Sequence, residues 1–284
     1  MTYRRWPGAR GQPTLLMLHG LASNSTRWCE LAELLAGEFA AELVCPDLRG
    51  HGGSVYRGRL RSEDWVGDLV GLLDHLECPR VVAGGHCLGA NIALRLALAR
   101  PERVSALILI EPMLPGTLKW PLSILSRVRG LLRVAAWPVR MLNALGIHRR
   151  NLPNLDLSEL DRASRGAVRD QGDERAILAR YSRPGADTAY MPVATYLQAL
   201  AEVLRGPGRL AATSQPALAL LSRGGLLMDP ERSHARLQAL PEVRIEWLPA
   251  LHWIPTEAPE AMSDSIRSFL DSLGSARQEA GARP

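Results

Sequence analysis

The turn Gly85-His86-Cys87-Leu88-Gly89 joins an apolar run, Arg80–Gly84, to a helical pattern that starts at once with Ala90-Asn91-Ile92-Ala93-Leu94. A strand that passes into a helix over so little chain forces the central residue into a strained backbone conformation. Glycines two before and two after are needed to keep side chains from colliding. The turn also lifts the Cys87 side chain above the sheet edge and sets it at a helix N-terminus, where backbone dipoles favour an anion.

The flanking chain has the alternation such a turn requires. Apolar runs at Thr14–His19, Glu42–Cys45, Arg80–Gly84 and Val104–Ile110 are separated by helical patterns near 26–37, 62–77 and 88–100. Each run is apolar throughout, as expected of parallel strands covered by helices on both faces. A second block supplies strands at Pro216–Ser222 and Val243–Pro249, with helices near 230–240 and 258–273. Between the blocks lie roughly 100 residues with helical periodicity, interrupted by Pro121, Pro138, Pro153, Pro184 and Pro192 and without a convincing strand. The predicted fold is α/β: a mostly parallel central sheet flanked by helices, with core residues 1–114 and 211–275, a helical cap at 115–210 and a flexible tail at 276–284.

Taken together, Gly85-His86-Cys87-Leu88-Gly89, His19-Gly20-Leu21 and the loop Pro46-Asp47-Leu48-Arg49-Gly50-His51-Gly52-Gly53-Ser54 resemble the motifs of the α/β-hydrolase fold superfamily. Cysteine occupies the position where that superfamily usually has serine. The resemblance implies an acid after a later strand and a histidine near the C-terminus, in the order nucleophile, acid, base. Asp229 and His252 fit that order, with Leu251-His252-Trp253 similar to the family's Gly-His-Trp. Glu111, at the end of the strand Val104–Ile110, is the reserve acid, with a buried structural role the alternative.

The roles implied are a Cys87 nucleophile, a His252 base oriented by Asp229, and an oxyanion hole made by the backbone N–H groups of Leu21 and Leu88. The neighbouring His86 is expected to point away from the cleft, and Asp47 and Arg49 to form a structural ion pair or brace their loop. Trp28, Met113, Trp120, Trp137 and Trp253 fall at strand ends or in the cap, where such proteins line their substrate pockets. The expected activity is hydrolysis of an ester, thioester or lactone of a hydrophobic acyl substrate through a cysteinyl acyl-enzyme, without cofactor or metal. Two rivals are an acyltransferase or cyclising thioesterase using the same triad, and a non-catalytic small-molecule receptor.

Charge qualifies the substrate. The net charge is +5, and Lys119 is the only lysine among the 34 basic residues. Segment 115–210 holds about 15 basic and 8 acidic side chains, so the positive charge is concentrated there. Either a solvated surface or attraction to an anionic or carrier-linked acyl substrate, or to a lipid surface, would account for it. No nucleic-acid-binding module accompanies the charge. Cys29, Cys45, Cys78 and Cys87 have no metal-site spacing, and no apolar run reaches membrane-spanning length. The expected setting is the cytoplasm.

Overall fold

The computed structural model describes residues 1–9, 11–36, 41–171 and 184–281, and of 166–171, 184–186 and 276–281 the backbone only. Seven strands form one sheet: β1 (Tyr3–Trp6), β2 (Thr14–Leu18), β3 (Glu42–Pro46), β4 (Val81–His86), β5 (Val104–Ile110), β6 (Ala217–Ser222) and β7 (Val243–Leu248). Their spatial order is β1-β3-β2-β4-β5-β6-β7. Every pair is parallel except β1 with β3.

Six strands lie where the apolar runs placed them. β1 is additional, and its sequence Tyr3-Arg4-Arg5-Trp6 explains why it gives no apolar signal. It is an edge strand with both arginines exposed, so no buried run was needed.

The two-residue period of a strand decides which face each side chain covers. On β2, Leu16 and Leu18 pack with Trp65 and Leu69 of α2 (Ser62–His75) and Leu88 and Ile92 of α3 (Leu88–Ala99). Leu15 and Met17 face the other way, toward Leu31 and Leu35 of α1 (Cys29–Leu35) and Ile266 and Phe269 at the C-terminal end of the chain. Both faces are dry, which is why β2 reads as a continuous apolar run.

Between β5 and β6 the described chain is helical: α4 (Leu122–Arg127), α5 (Arg129–Ala144), α6 (Leu157–Gln171), α7 (Pro184–Tyr190) and α8 (Val193–Arg205). Residues α8 buries, such as Ala199 and Val203, belong to the core beneath the sheet edge, and α5 packs on α8 from outside. α6 is held to the core by polar bonds. Arg27 pairs with Asp161 in a site where both side chains are almost wholly buried, and Leu157 N donates to Thr26 Oγ1 at 2.9 Å. A buried charge is tolerated only when paired, so this contact fixes α6 at one position over the sheet.

The chain closes with α9 (Pro230–Leu237), the short α10 (Ile254–Glu257) and α11 (Pro259–Gly281). Of the tail expected at 276–284, the backbone of 276–281 continues α11, where residues 275–280, Ser-Ala-Arg-Gln-Glu-Ala, contain no helix breaker, and 282–284 lie outside the described residues.

Candidate active site

The loop between β4 and α3 has the conformation the glycine spacing demands. Cys87 has φ 53° and ψ −108°, a left-handed strained backbone. A Cβ at Gly89 would stand 2.0 Å from Leu18 O, and one at Gly85 would stand 2.6 Å from both Leu18 O and the Gly89 carbonyl carbon. The turn is pinned by Cys87 N donating to Ile110 O at 2.9 Å. Leu88 opens α3, so its N–H has no partner within the helix and lies beside the sulfur.

Glu111 follows the last residue of β5 and is the next link. It also has a left-handed backbone, φ 48°, which turns its carboxylate across the sheet end. Oε2 accepts from His252 Nδ1 at 3.0 Å and Oε1 from Ser222 N at 2.6 Å, with Glu111 and His252 both buried. This bond orients the imidazole and leaves Nε2 for Cys87. Burial opposes charge on His252, but hydrogen bonds to Cys87 and Glu111 and their negative charge outweigh it and push the group up to about 10.

The carboxylate meeting His252 is therefore Glu111, and Asp229 is elsewhere. Asp229 caps α9, its side chain accepting from Arg232 N at 3.0 Å while its own N–H donates to Thr117 O. The six residues that separate it from β6 are tied down along the way, Leu226 N donating to Leu251 O and Lys119 N to Leu227 O. That path carries Asp229 away from the imidazole.

His86 also differs from expectation. It is buried against the site, with Nε2 donating to His252 O at 3.0 Å and the two rings 4.9 Å apart. Burial, and then the positive charge of His252, hold it well below the usual histidine range, so it stays neutral. Asp47 is a loop brace, accepting from Ser25 N and Gly53 N, whereas Arg49 pairs with Asp68.

A feature without a sequence signature is Glu257 on α10. Its carboxylate accepts from three successive backbone groups, Leu251 N at 2.8 Å, His252 N at 3.1 Å and Trp253 N at 2.7 Å. An acid five residues after the histidine is the trace it leaves, but nothing in the spacing shows that it folds back.

Above Cys87 and His252 lies a cavity of about 720 Å³, mostly apolar, whose walls include Leu21, Met113, Leu122, Leu160, Leu200 and Val203. Of the aromatic residues expected to line a pocket, Trp120 and Trp253 do so with Met113. Trp28 is fully buried on the opposite face of the sheet with Leu15 and Met17. Trp137 is 60% exposed and borders an outer groove of the cap with Arg59, Arg133 and Arg140. Both therefore lie outside the cavity: the first because the chain ahead of α1 turns into the core, the second because α5 presents it outward. On the far wall Asp187 is pushed up to about 6, chiefly by burial, with Tyr196 as its hydrogen-bond partner. Among the described residues no group of three His, Cys, Asp or Glu side chains is placed to hold a metal ion.

Comparison with known proteins agrees with this architecture. The profile of the Abhydrolase_1 family, described as alpha/beta hydrolase fold, matches residues 13–259. The chain is 25% identical over 272 residues to the mouse sn-1-specific diacylglycerol lipase ABHD11, covering 95% of this chain and 85% of that one. It is 29% identical over 241 residues to the pimeloyl-[acyl-carrier protein] methyl ester esterase of Nitrosomonas europaea, covering 84% and 87%. Among solved structures, a thermophilic esterase from Thermogutta terrifontis shares the fold with a TM-score of 0.68 at 21% identity, covering 96% and 93% of the two chains.

Proposed function

The chain belongs to the α/β-hydrolase fold family, and on that premise we propose that it hydrolyses carboxylic esters of apolar acyl groups through a Cys87-His252-Glu111 triad. The observation that carries this reading is the unbroken line from Cys87 through His252 to Glu111 beneath a largely apolar cavity. The names of the similar mouse lipase and Nitrosomonas esterase support the choice of ester bond.

The geometry assigns each group a step. His252 Nε2 takes the proton of Cys87 and is the imidazolium for the steps that follow. The sulfur attacks the ester carbonyl carbon, a C–S bond forms, and the carbonyl electrons move to oxygen. The Leu88 and Leu21 N–H groups donate to that oxygen as an oxyanion hole, where loss of one donor costs about 2.7–4 kcal/mol in comparable sites. Collapse breaks the C–O bond, and His252 gives its proton to the departing alkoxide, leaving a thioester. Water then attacks the thioester while His252 takes its proton. The acid leaves, the sulfur departs as thiolate, and the imidazolium is restored. Glu111 accepts from Nδ1–H throughout and keeps the ring oriented.

The wall of Met113, Leu122, Leu200 and Val203 gives an acyl chain a dry surface, which is the ground for an apolar substrate. Incubation with p-nitrophenyl esters of increasing chain length, followed by intact mass, tests the reading. Release of nitrophenol together with a transient acyl mass on Cys87 is expected. Undiminished hydrolysis by Cys87→Ala would overturn it, and an adduct that clears only when an alcohol or amine is added would replace hydrolysis by acyl transfer.

A further inference from the structure

The outward face of α5 is built the wrong way round for a helix in water. Leu131, Val134, Trp137, Met141, Leu142 and Leu145 recur at helical spacing and are all exposed, and Ala136 is the only residue of α5 that is buried. The preceding helix adds Ile124 and Val128 to the exposed set. Scattered surface leucines need no explanation, but a continuous stripe on one helix does.

The charge carried by this stretch of chain is of one sign. Between Glu111 and Asp156 the chain has seven basic side chains, Lys119 and six arginines, and no acidic one. Arg127, Arg129 and Arg133 border an open groove of about 540 Å³, which Arg61, Arg205 and Glu63 share; Arg133 is paired with Glu202 and Arg205 with Glu63, so the groove keeps an excess of positive charge. Arg133 and Arg140 line the outer groove beside Trp137, and within it the Nε of Arg140 is buried without a hydrogen-bond partner.

The stripe is also continuous with the entrance to the site. Trp120 is 77% exposed and at the same time part of the cavity wall, as are Pro121 and Leu122 at the start of α4.

From these three observations we infer that the α4–α5 face of the cap docks on an anionic lipid surface, with its apolar stripe in the acyl layer and its arginines at the phosphates. Trp and Leu on one face with arginine at the border is the composition of a helix lying in a membrane interface. Among the described residues no helix is long and apolar enough to cross a membrane, so the contact is with one leaflet. A second copy of the chain would have to bring acidic groups to this basic face, and α5 facing its own copy places arginine against arginine. An anionic leaflet matches both the apolar and the charged part.

Docking is read without turnover. The full chain is mixed with phosphatidylcholine vesicles, and with vesicles in which part of that lipid is replaced by phosphatidylglycerol, and sedimented. Binding to the anionic vesicles at least about tenfold tighter than to the neutral ones, and weakened by salt, is expected. Leu131→Ser/Trp137→Ser/Leu145→Ser should lose binding to both, and Arg127→Gln/Arg129→Gln should lose about fivefold per arginine on the anionic vesicles only. Slowed hydrogen exchange in 120–147 on adding anionic vesicles reads the same contact in the unaltered chain.

The inference is overturned if neither vesicle binds, if the triple variant binds as well as the parent, or if the parent is a dimer that the triple variant dissolves. A further arm rests on the esterase reading: the triple variant should keep its rate on a soluble short-chain ester and lose rate on an ester embedded in anionic vesicles. Failure of that arm with vesicle binding intact counts against the esterase reading and leaves the docking surface standing.

Discussion

Strand β5 and helix α5 are both rich in aliphatic residues, yet six of the seven residues of β5 are buried and one of the sixteen of α5 is. In β5 every apolar side chain has a helix or a neighbouring strand against it. In α5 the inner side meets α8, and among the described residues the apolar side chains of the outer side stand exposed. Apolar content alone therefore does not say that a face is core. What separates the two is whether the rest of the chain can reach it, and in the cap an outward apolar face flanked by arginine implies a purpose beyond stability.

The contrast can be broken at the acid. If the whole triad is carried by the sheet, Glu111→Gln should lower kcat on a p-nitrophenyl ester by about 10³–10⁴-fold, while Asp229→Asn should change it by less than about twofold. A larger loss at Asp229 would move part of the chemistry into the loop that borders the cap. Stability sharpens the contrast next. Leu109→Ala, fully buried near the C-terminal end of β5, should cost about 2–5 kcal/mol in urea unfolding. Leu131→Ala, on the outer face of α5, should stay within about 0.5 kcal/mol. Equal costs would mean that the α5 face is covered in the free protein.

Glu257→Gln should be milder, since it positions the His252 loop and touches no substrate: a fall of about tenfold in kcat with KM little changed, accompanied by a shifted pH profile. A loss confined to KM would contradict that role. The smallest effect concerns pH. His51 is fully buried and its value is lowered to about 3, chiefly by burial, so below pH 6.5 the unfolded chain binds a proton the folded chain refuses. The stability this gives is complete above about pH 6.5 and is lost as pH falls toward 3, at about 1 kcal/mol between pH 7 and 5.5. His252 works in the opposite sense, its contribution complete below 6.5 and lost as pH rises through about 10. Unfolding of His51→Gln measured at pH 7 and 5.5 should show a flatter slope, whereas changes on the outer face of α5 should leave the slope alone.

Most of the sheet was legible because strands covered on both faces must be apolar throughout, and Thr14–Leu18 and Val104–Ile110 carry that mark. The elbow was legible for steric reasons that act within five residues. Legibility failed where a decision depends on parts of the chain far apart. Glu111 and Asp229 both follow strands, and only the 3.0 Å bond from His252 distinguishes them. Trp28 and Trp137 look alike in sequence and end up on opposite extremes of burial, because a tryptophan's spacing says nothing about which neighbour the fold brings to it.

The placement of the carboxylate on β5 releases the connection after β6 for another task. Main-chain bonds from Lys119 to Leu227 and from Asp229 to Thr117, with Lys119 Nζ donating to Gly225 O, sew that connection to the stem by which the cap leaves the sheet. Glu111 and the stem of the cap thus leave the same strand end, and the connection after β6 holds that stem in place. Beyond that stem, the outer surface of the cap can vary while the bond between Glu111 and His252 keeps its place, so the insert and the sheet answer to different constraints.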